Sequence, residues 1–276
     1  MAIQTNLDNK DIYPERETEY RLPSGGITYL DKHPDFPSTI VIAPYSFETE
    51  SILLTNMSSF DKLMRILPRI VVNFPKDFDW STILLGDATF AFICARSSTY
   101  GETFNINSIC PACGHSEKNT VSVPTEVPTV NWIRPENKEE ADKSKGLFLA
   151  NSRFFEVKLP IVKDLVRLKF LTMADDARLT KVKKNMSRVV TDGNDSGSIR
   201  RVAEHLVSVN GGEVDDIKEA MDYVRRVKGK DMDALKTAIS EKAPGIRETL
   251  DIQCEKCGHI YPVTPGFTQN FFRRSG

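Results

Sequence analysis

Five cysteines occur in the 276 residues, and four of them fall into two matching pairs. One pair sits in Ile109-Cys110-Pro111-Ala112-Cys113-Gly114-His115, the other in Gln253-Cys254-Glu255-Lys256-Cys257-Gly258-His259. Both read Cys-x-x-Cys-Gly-His. Two thiolates separated by two residues converge on one ion across a tight turn, and a tetrahedral zinc needs two such turns. The glycine after each second cysteine suits a turn that requires positive φ and room beside the sulfur. Pro111 pre-sets φ inside the first turn. Cys110, Cys113, Cys254 and Cys257 are therefore the expected ligands of one structural zinc. An iron–sulfur cluster uses the same ligand type and stays open at this point. Paired disulfides do not suit the reducing cytoplasm that the rest of the sequence implies.

Four thiolates fill a structural zinc site, so no position is left for a reacting water and the metal is not expected to be catalytic. His115 and His259 are read as lying outside the ligand set. Cys94 falls in the apolar run 88–95 and is read as a small buried hydrophobe.

The flanks say what must hold the pairs in place. Phe104 and Ile106 approach the first pair with strand-like alternation, and residues 120–123 alternate beyond it. Leu250 and Ile252 alternate before the second pair, and residues 260–263 follow it. Each pair is thus expected at the tip of a β-hairpin, and two such knuckles facing each other make a zinc ribbon. Cys254 lies about 140 residues beyond Cys113, far more than an ordinary ribbon spans. The ribbon is split, and a long segment is inserted between its halves. The expected fold class is α+β: mixed helices and short strands around a split four-cysteine zinc ribbon with a long helical insertion.

Helices and strands outside the ribbon are read from periodicity. Residues 39–42 form a short strand. A helix begins at Ser46, and another carries Phe60, Leu63, Met64, Leu67 and Ile70, with Ser58 and Asp61 in a capping arrangement. Pro68 kinks or shortens that helix. Asp87 is placed as the cap of an apolar, buried helix closed by Tyr100-Gly101. Strands are read at 154–159 and 165–170. Thr172 with Asp175 starts a helix that bears Lys181, Lys183, Lys184 and Arg188. A loop follows at 191–197, and later helices carry Ile217 to Val227 and, capped by Asp231, Leu235 and Ile239. The organisation is then a flexible arm at 1–20, an α+β region at 21–101, ribbon halves at 102–128 and 246–265, a linker and mostly helical insertion at 129–245, and an aromatic docking tail at 266–276.

Composition limits the function classes. Apolar residues make up 40% and charged residues 27%, with 37 basic residues against 38 acidic ones. That balance offers no global attraction for phosphate backbones. No apolar run approaches the length of a membrane span, and the polar start does not resemble a secretion signal.

The order of several short motifs resembles the T4-type bacteriophage baseplate protein family. Leu22-Pro23-Ser24-Gly25-Gly26-Ile27-Thr28-Tyr29 is similar to that family's opening. A strand, Pro44 and an acidic helix start at 48–54 follow. Then come Gly86-Asp87 before an apolar helix, Arg96-Ser97-Ser98-Thr99-Tyr100-Gly101, the first knuckle, Val209-Asn210-Gly211-Gly212-Glu213 and the second knuckle. The resemblance covers most of the chain. It implies a non-catalytic structural or assembly role in the baseplate hub or its surroundings in contractile-tailed phages. Other baseplate and tail proteins are then the expected partners, and the virion tail the location, after assembly in the host cytoplasm. Not all members keep the cysteines, so the zinc reading rests on the spacing in this sequence.

Two other classes compete. Zinc ribbons occur in transcription machinery, but neutral charge and the lack of an aromatic-basic stripe weigh against nucleic-acid binding. Against an enzyme, the sequence carries no nucleophile elbow, no His-Glu-x-x-His helix and no phosphate loop.

Overall fold

The computed structural model describes residues 17–123, 129–130, 132, 153–178, 196–246 and 249–263. The readings placed at 1–16, at the middle of the linker, at Lys181 to Arg188, at 191–195 and at the 266–276 tail lie outside the described residues. The architecture is α+β, with short antiparallel strands among helices.

The chain opens with β1 (Thr18–Arg21), paired antiparallel with β2 (Thr39–Ile42). Residues 18–20, assigned to the arm from sequence, are thus in a sheet. Their alternating burial comes only with β2 as partner. Helix α1 (Phe47–Leu53) starts where Ser46 Oγ accepts the Thr49 amide. Helix α2 (Ser59–Ile70) starts where Ser58 Oγ accepts the Asp61 amide, as the capping pattern predicts. Pro68 lies in its last turn, two residues before its end. Five rings gather beneath these helices. Phe36 lies 4.6 Å from both Tyr29 and Phe74, with Phe78 and Trp80 adjoining.

Helix α3 (Leu85–Tyr100) is the wall between the two parts of the molecule. Ala88, Phe90, Ala91 and Ala95 face the main core, while Ile93 faces the base of the ribbon. A helix that is apolar nearly all round must be buried on both sides. Asp87 does not cap it. The cap position is Leu84, and Asp87 is fully buried in the first turn. Its carboxylate accepts from the Ser24 amide at 3.0 Å, the Ser24 hydroxyl at 2.5 Å and the Tyr29 hydroxyl at 2.7 Å. The 22–29 segment is therefore a clasp on Asp87, and Tyr29 Oη in turn accepts the Leu84 amide. Burial pushes the Asp87 carboxyl up to about 6, even though these donors pull it down.

The middle of the chain forms a four-stranded antiparallel sheet in the order β6-β7-β8-β9: β6 (Phe154–Lys158), β7 (Leu165–Lys169), β8 (Leu206–Val209) and β9 (Gly212–Glu213). The sequence predicts β6 and β7. It does not reveal β8, because the strand follows helix α4 (Ser196–His205) without any turn residue. Helices α5 (Ile217–Arg226) and α6 (Lys230–Lys242) follow. Thr172 and Asp175 bond reciprocally at the start of the helical segment 173–178, as expected. Asp231 does not cap α6. The cap is Gly229, and Asp231 instead accepts the Ile161 and Val162 amides of the neighbouring β6–β7 turn. One core runs through all of this, from Leu22 and Ile66 through Leu168 to Val224 and Leu235.

Candidate metal centre

Two hairpins carry the four cysteines. Strands β3 (Thr103–Ile109) and β4 (Ser116–Ser122) pair from Thr103–Ser122 to Ile109–Ser116. Strands β11 (Leu250–Gln253) and β12 (Ile260–Val263) pair from Leu250–Val263 to Gln253–Ile260. The tips are built alike. In the first, the Cys110 amide donates to His115 O at 2.8 Å and the Gly114 amide to Cys110 O at 2.9 Å. In the second, the Cys254 amide donates to His259 O and the Gly258 amide to Cys254 O, both at 2.9 Å. Gly114 and Gly258 have φ of 69° and 71°, the conformation expected of them from sequence.

All four sulfurs lie within 4.8 Å of one another. Two approaches cross between the hairpins: Cys110 to Cys257 and Cys113 to Cys254, each 3.7 Å. A tetrahedral ion with metal–sulfur bonds of about 2.3 Å places its sulfurs about 3.8 Å apart. The donor set could thus hold one metal ion. The crowding of the sulfurs acts on their protonation. Burial raises the Cys110 thiol, but the Cys113 and Ala112 amides outweigh it and bring it down to about 7. The His259 amide draws the Cys257 thiol down, but the sulfurs around it win and raise it to about 12. Four thiols this close do not all ionise unless a cation shares their charge. Neither His115 nor His259 belongs to the cluster; His259 stacks on Tyr261. Cys94 is buried where α3 meets the main core, and burial pushes its thiol up.

A second bond set, not anticipated from sequence, ties the hairpins together. The Tyr261 hydroxyl donates to Glu117 Oε1 at 2.8 Å, and the Glu255 amide donates to Glu117 Oε2 at 3.1 Å. Ser108 Oγ lies 2.7 Å from Tyr261 Oη. These donors hold the Glu117 carboxyl below its usual range. One signal was available. Glu117 shares the inward face of β4 with Val121, so a carboxylate there required a partner.

The long insertion leaves and returns by one doorway. Strand β5 (Thr129–Val130) pairs antiparallel with β10 (Gly245–Ile246). Both lie in stretches read from sequence as linker or helix end. Trp132 is buried just beyond, its indole donating to Lys242 O at 2.8 Å. β10 crosses α3 by backbone contact: a Cβ on Gly86 would sit 1.7 Å from Pro244 O. Only glycine fits there. At the ribbon base, Ile106, Val121, Val123 and Leu250 close against Ile93.

Among the described residues, no helix is long and apolar enough to cross a membrane. Compared with known proteins, residues 14–273 match a family described as T4 bacteriophage base plate protein. No curated protein and no solved structure matches the chain.

Proposed function

Because this chain belongs to the T4 bacteriophage base plate protein family, we propose that it is a component of the baseplate hub or an adjoining ring, acting in assembly and subunit docking, with zinc at Cys110, Cys113, Cys254 and Cys257 holding its architecture. The family gives it a structural role among phage tail proteins in the virion. The single observation that carries this is the match across residues 14–273, which takes in both knuckles and everything between them.

Zinc is favoured by the donor set. Four thiolates in a tetrahedral arrangement select zinc or iron, and sulfurs all within 4.8 Å suit one ion better than ligands spread over several irons. In this reading the metal does no chemistry on a substrate. It fixes the second hairpin against the first. The tail at 266–276 and the arm at the N-terminus are the segments proposed to contact neighbouring subunits.

Affinity purification of the tagged chain from phage-infected cells tests the role. Tail proteins are expected to come with it; polymerase subunits instead would favour a nucleic-acid-binding ribbon and overturn the reading. Elemental analysis of the purified chain should give one zinc per molecule. Iron in its place, or no metal, would refute the metal assignment alone.

A further inference from the structure

The β6–β7 hairpin carries an unusual combination at the far side of the sheet from the core. Ile161 and Val162 at its tip are 61% and 53% exposed, and Leu165 at the start of β7 is 43% exposed. Exposed apolar side chains scattered singly mean little, but these three fall within five residues of one hairpin whose backbone is held by side chains of other elements. Asp231 accepts the amides of residues 161 and 162, and Asn210 accepts the Leu165 amide. Two residues along β7 stands Arg167. Its guanidinium lies 4.7 Å over the Phe154 ring, and its Nε is buried without a hydrogen-bond partner.

The neighbouring cations are already used. Arg153, Lys169 and Arg178 all pair with the single carboxylate of Asp175. Arg167 forms no ion pair among the described residues, although Glu156 is its register partner. Both acids at the tip are occupied: Asp231 by the Ile161 and Val162 amides, and Asp164 by the Asn210 amide group and the Tyr223 hydroxyl. Lys158, register partner of Leu165, and Lys163, whose Nζ donates to Pro160 O, stand beside Asp164 and Asp231, so the turn itself is of mixed charge. A half-buried arginine stacked on a ring, on the same hairpin as three exposed apolar residues, is the composition of an interface hot spot. Its backbone is pre-ordered, so binding costs little ordering entropy.

We propose that this face docks a segment of another protein in which a carboxylate side chain is flanked by apolar residues, the carboxylate meeting Arg167 and the apolar residues meeting Leu165, Ile161 and Val162. The partner is polypeptide and not nucleic acid. A phosphate backbone calls for a track of several cations without acids among them, whereas here Arg167, Lys158 and Lys163 alternate with Glu156, Asp164 and Asp231 beside exposed apolar side chains. This deepens the docking role proposed above and rests on it.

The test uses the full metal-loaded chain and three fluorescein-labelled probes: a dodecapeptide of glutamate and leucine, the same peptide with lysine for glutamate, and a single-stranded DNA of matching length. Fluorescence anisotropy should show binding of the glutamate peptide only. Arg167→Ala should weaken it about tenfold, which corresponds to about 1.4 kcal/mol, and Arg167→Lys should restore part of the loss. Leu165→Ser should weaken it independently, while Lys118→Ala, on the ribbon, should change nothing. Equal binding of both peptides, or affinity unaltered by Arg167→Ala in a variant that melts like the parent, would overturn the proposal. DNA binding lost with Arg167 would overturn the choice of partner. If Arg167→Ala still co-purifies every tail protein from infected cells, this face is excluded and the baseplate role stands.

Discussion

The body of the molecule and its ribbon bury very different amounts of apolar material. The body has one core from Leu22 to Leu235, with five packed rings and a helix buried on both sides. The ribbon tip buries only Ile252 and Tyr261 with two of its cysteines. Isolated two-stranded hairpins are marginal in water, and here two of them face each other. The body can stand on hydrophobic burial, which at about 25 cal/mol per Å² adds up over a core of this extent. The ribbon cannot. It depends on the four sulfurs and on the Glu117–Tyr261 bonds. Small domains that lack a sufficient core need a metal or a cross-link, and the same rule applies to a subregion.

Removing the metal proposed for the four sulfurs should therefore separate the two regions more than any other change. Structural zinc contributes on the order of 10 kcal/mol in small peptides. With a chelator, hydrogen exchange should rise sharply in 103–122 and 250–263 while α2, α3 and β7 stay protected. Exchange unchanged in the hairpins would break the comparison; equal loosening of α2 would show that the body also rests on the metal. The reciprocal change is Phe36→Ala, which opens a cavity between Tyr29 and Phe74. It should cost about 3–5 kcal/mol and lower the main melting transition without altering metal content.

A pH titration sharpens the comparison within the body. Asp87 binds its proton more tightly folded than unfolded, its pKa rising from 3.8 to about 6. Its contribution is fully present below the unfolded value and is lost as pH rises through about 6, on the order of 3 kcal/mol for a fully buried group. Asp175 runs the other way. Partial burial raises it, but the Thr172 amide, Lys169 and Arg153 prevail and hold it well below the usual range. Its contribution is present above the ordinary aspartate value and is lost as pH falls below it. Asp87→Asn should flatten the stability profile between about pH 4 and 6 and leave the acid limb unaltered. A profile unchanged in that window would show that Asp87 stays ionised. The smallest effect expected is that of Tyr261→Phe, which removes a donor from Glu117. It should speed exchange in the hairpin tips and leave the main transition where it was.

Much of the site could be read from the sequence because its determinants are local. The Cys-x-x-Cys-Gly-His spacing dictates a turn, the turn dictates glycine φ, and alternation around it dictates a hairpin. Ser58 and Thr172 were legible for the same reason: a cap is a contact across three residues. Asp87 and Asp231 carry the same local signal and are used otherwise. Each sits near a helix start, but the nearest unpaired amides that fold up against it belong to other segments, 24 and 161–162. β8 was missed because α4 runs into it without a break, so only its pairing with β7 defines it.

What the sequence determined alone is that two like knuckles exist, each able to offer two thiolates, at the ends of a long intervening segment. What the tertiary structure decided is that they meet. β5 and β10 pair at the doorway, Gly86 lets the returning strand cross α3 by backbone contact, and Glu117 finds Tyr261 across the gap. The facing sulfurs come from residues 141 and 147 positions apart, and the Glu117–Tyr261 bond spans 144. Nothing in the local physics of either partner specifies the other, because a hydrogen bond or a close backbone approach is selected only once a common core has brought the two together.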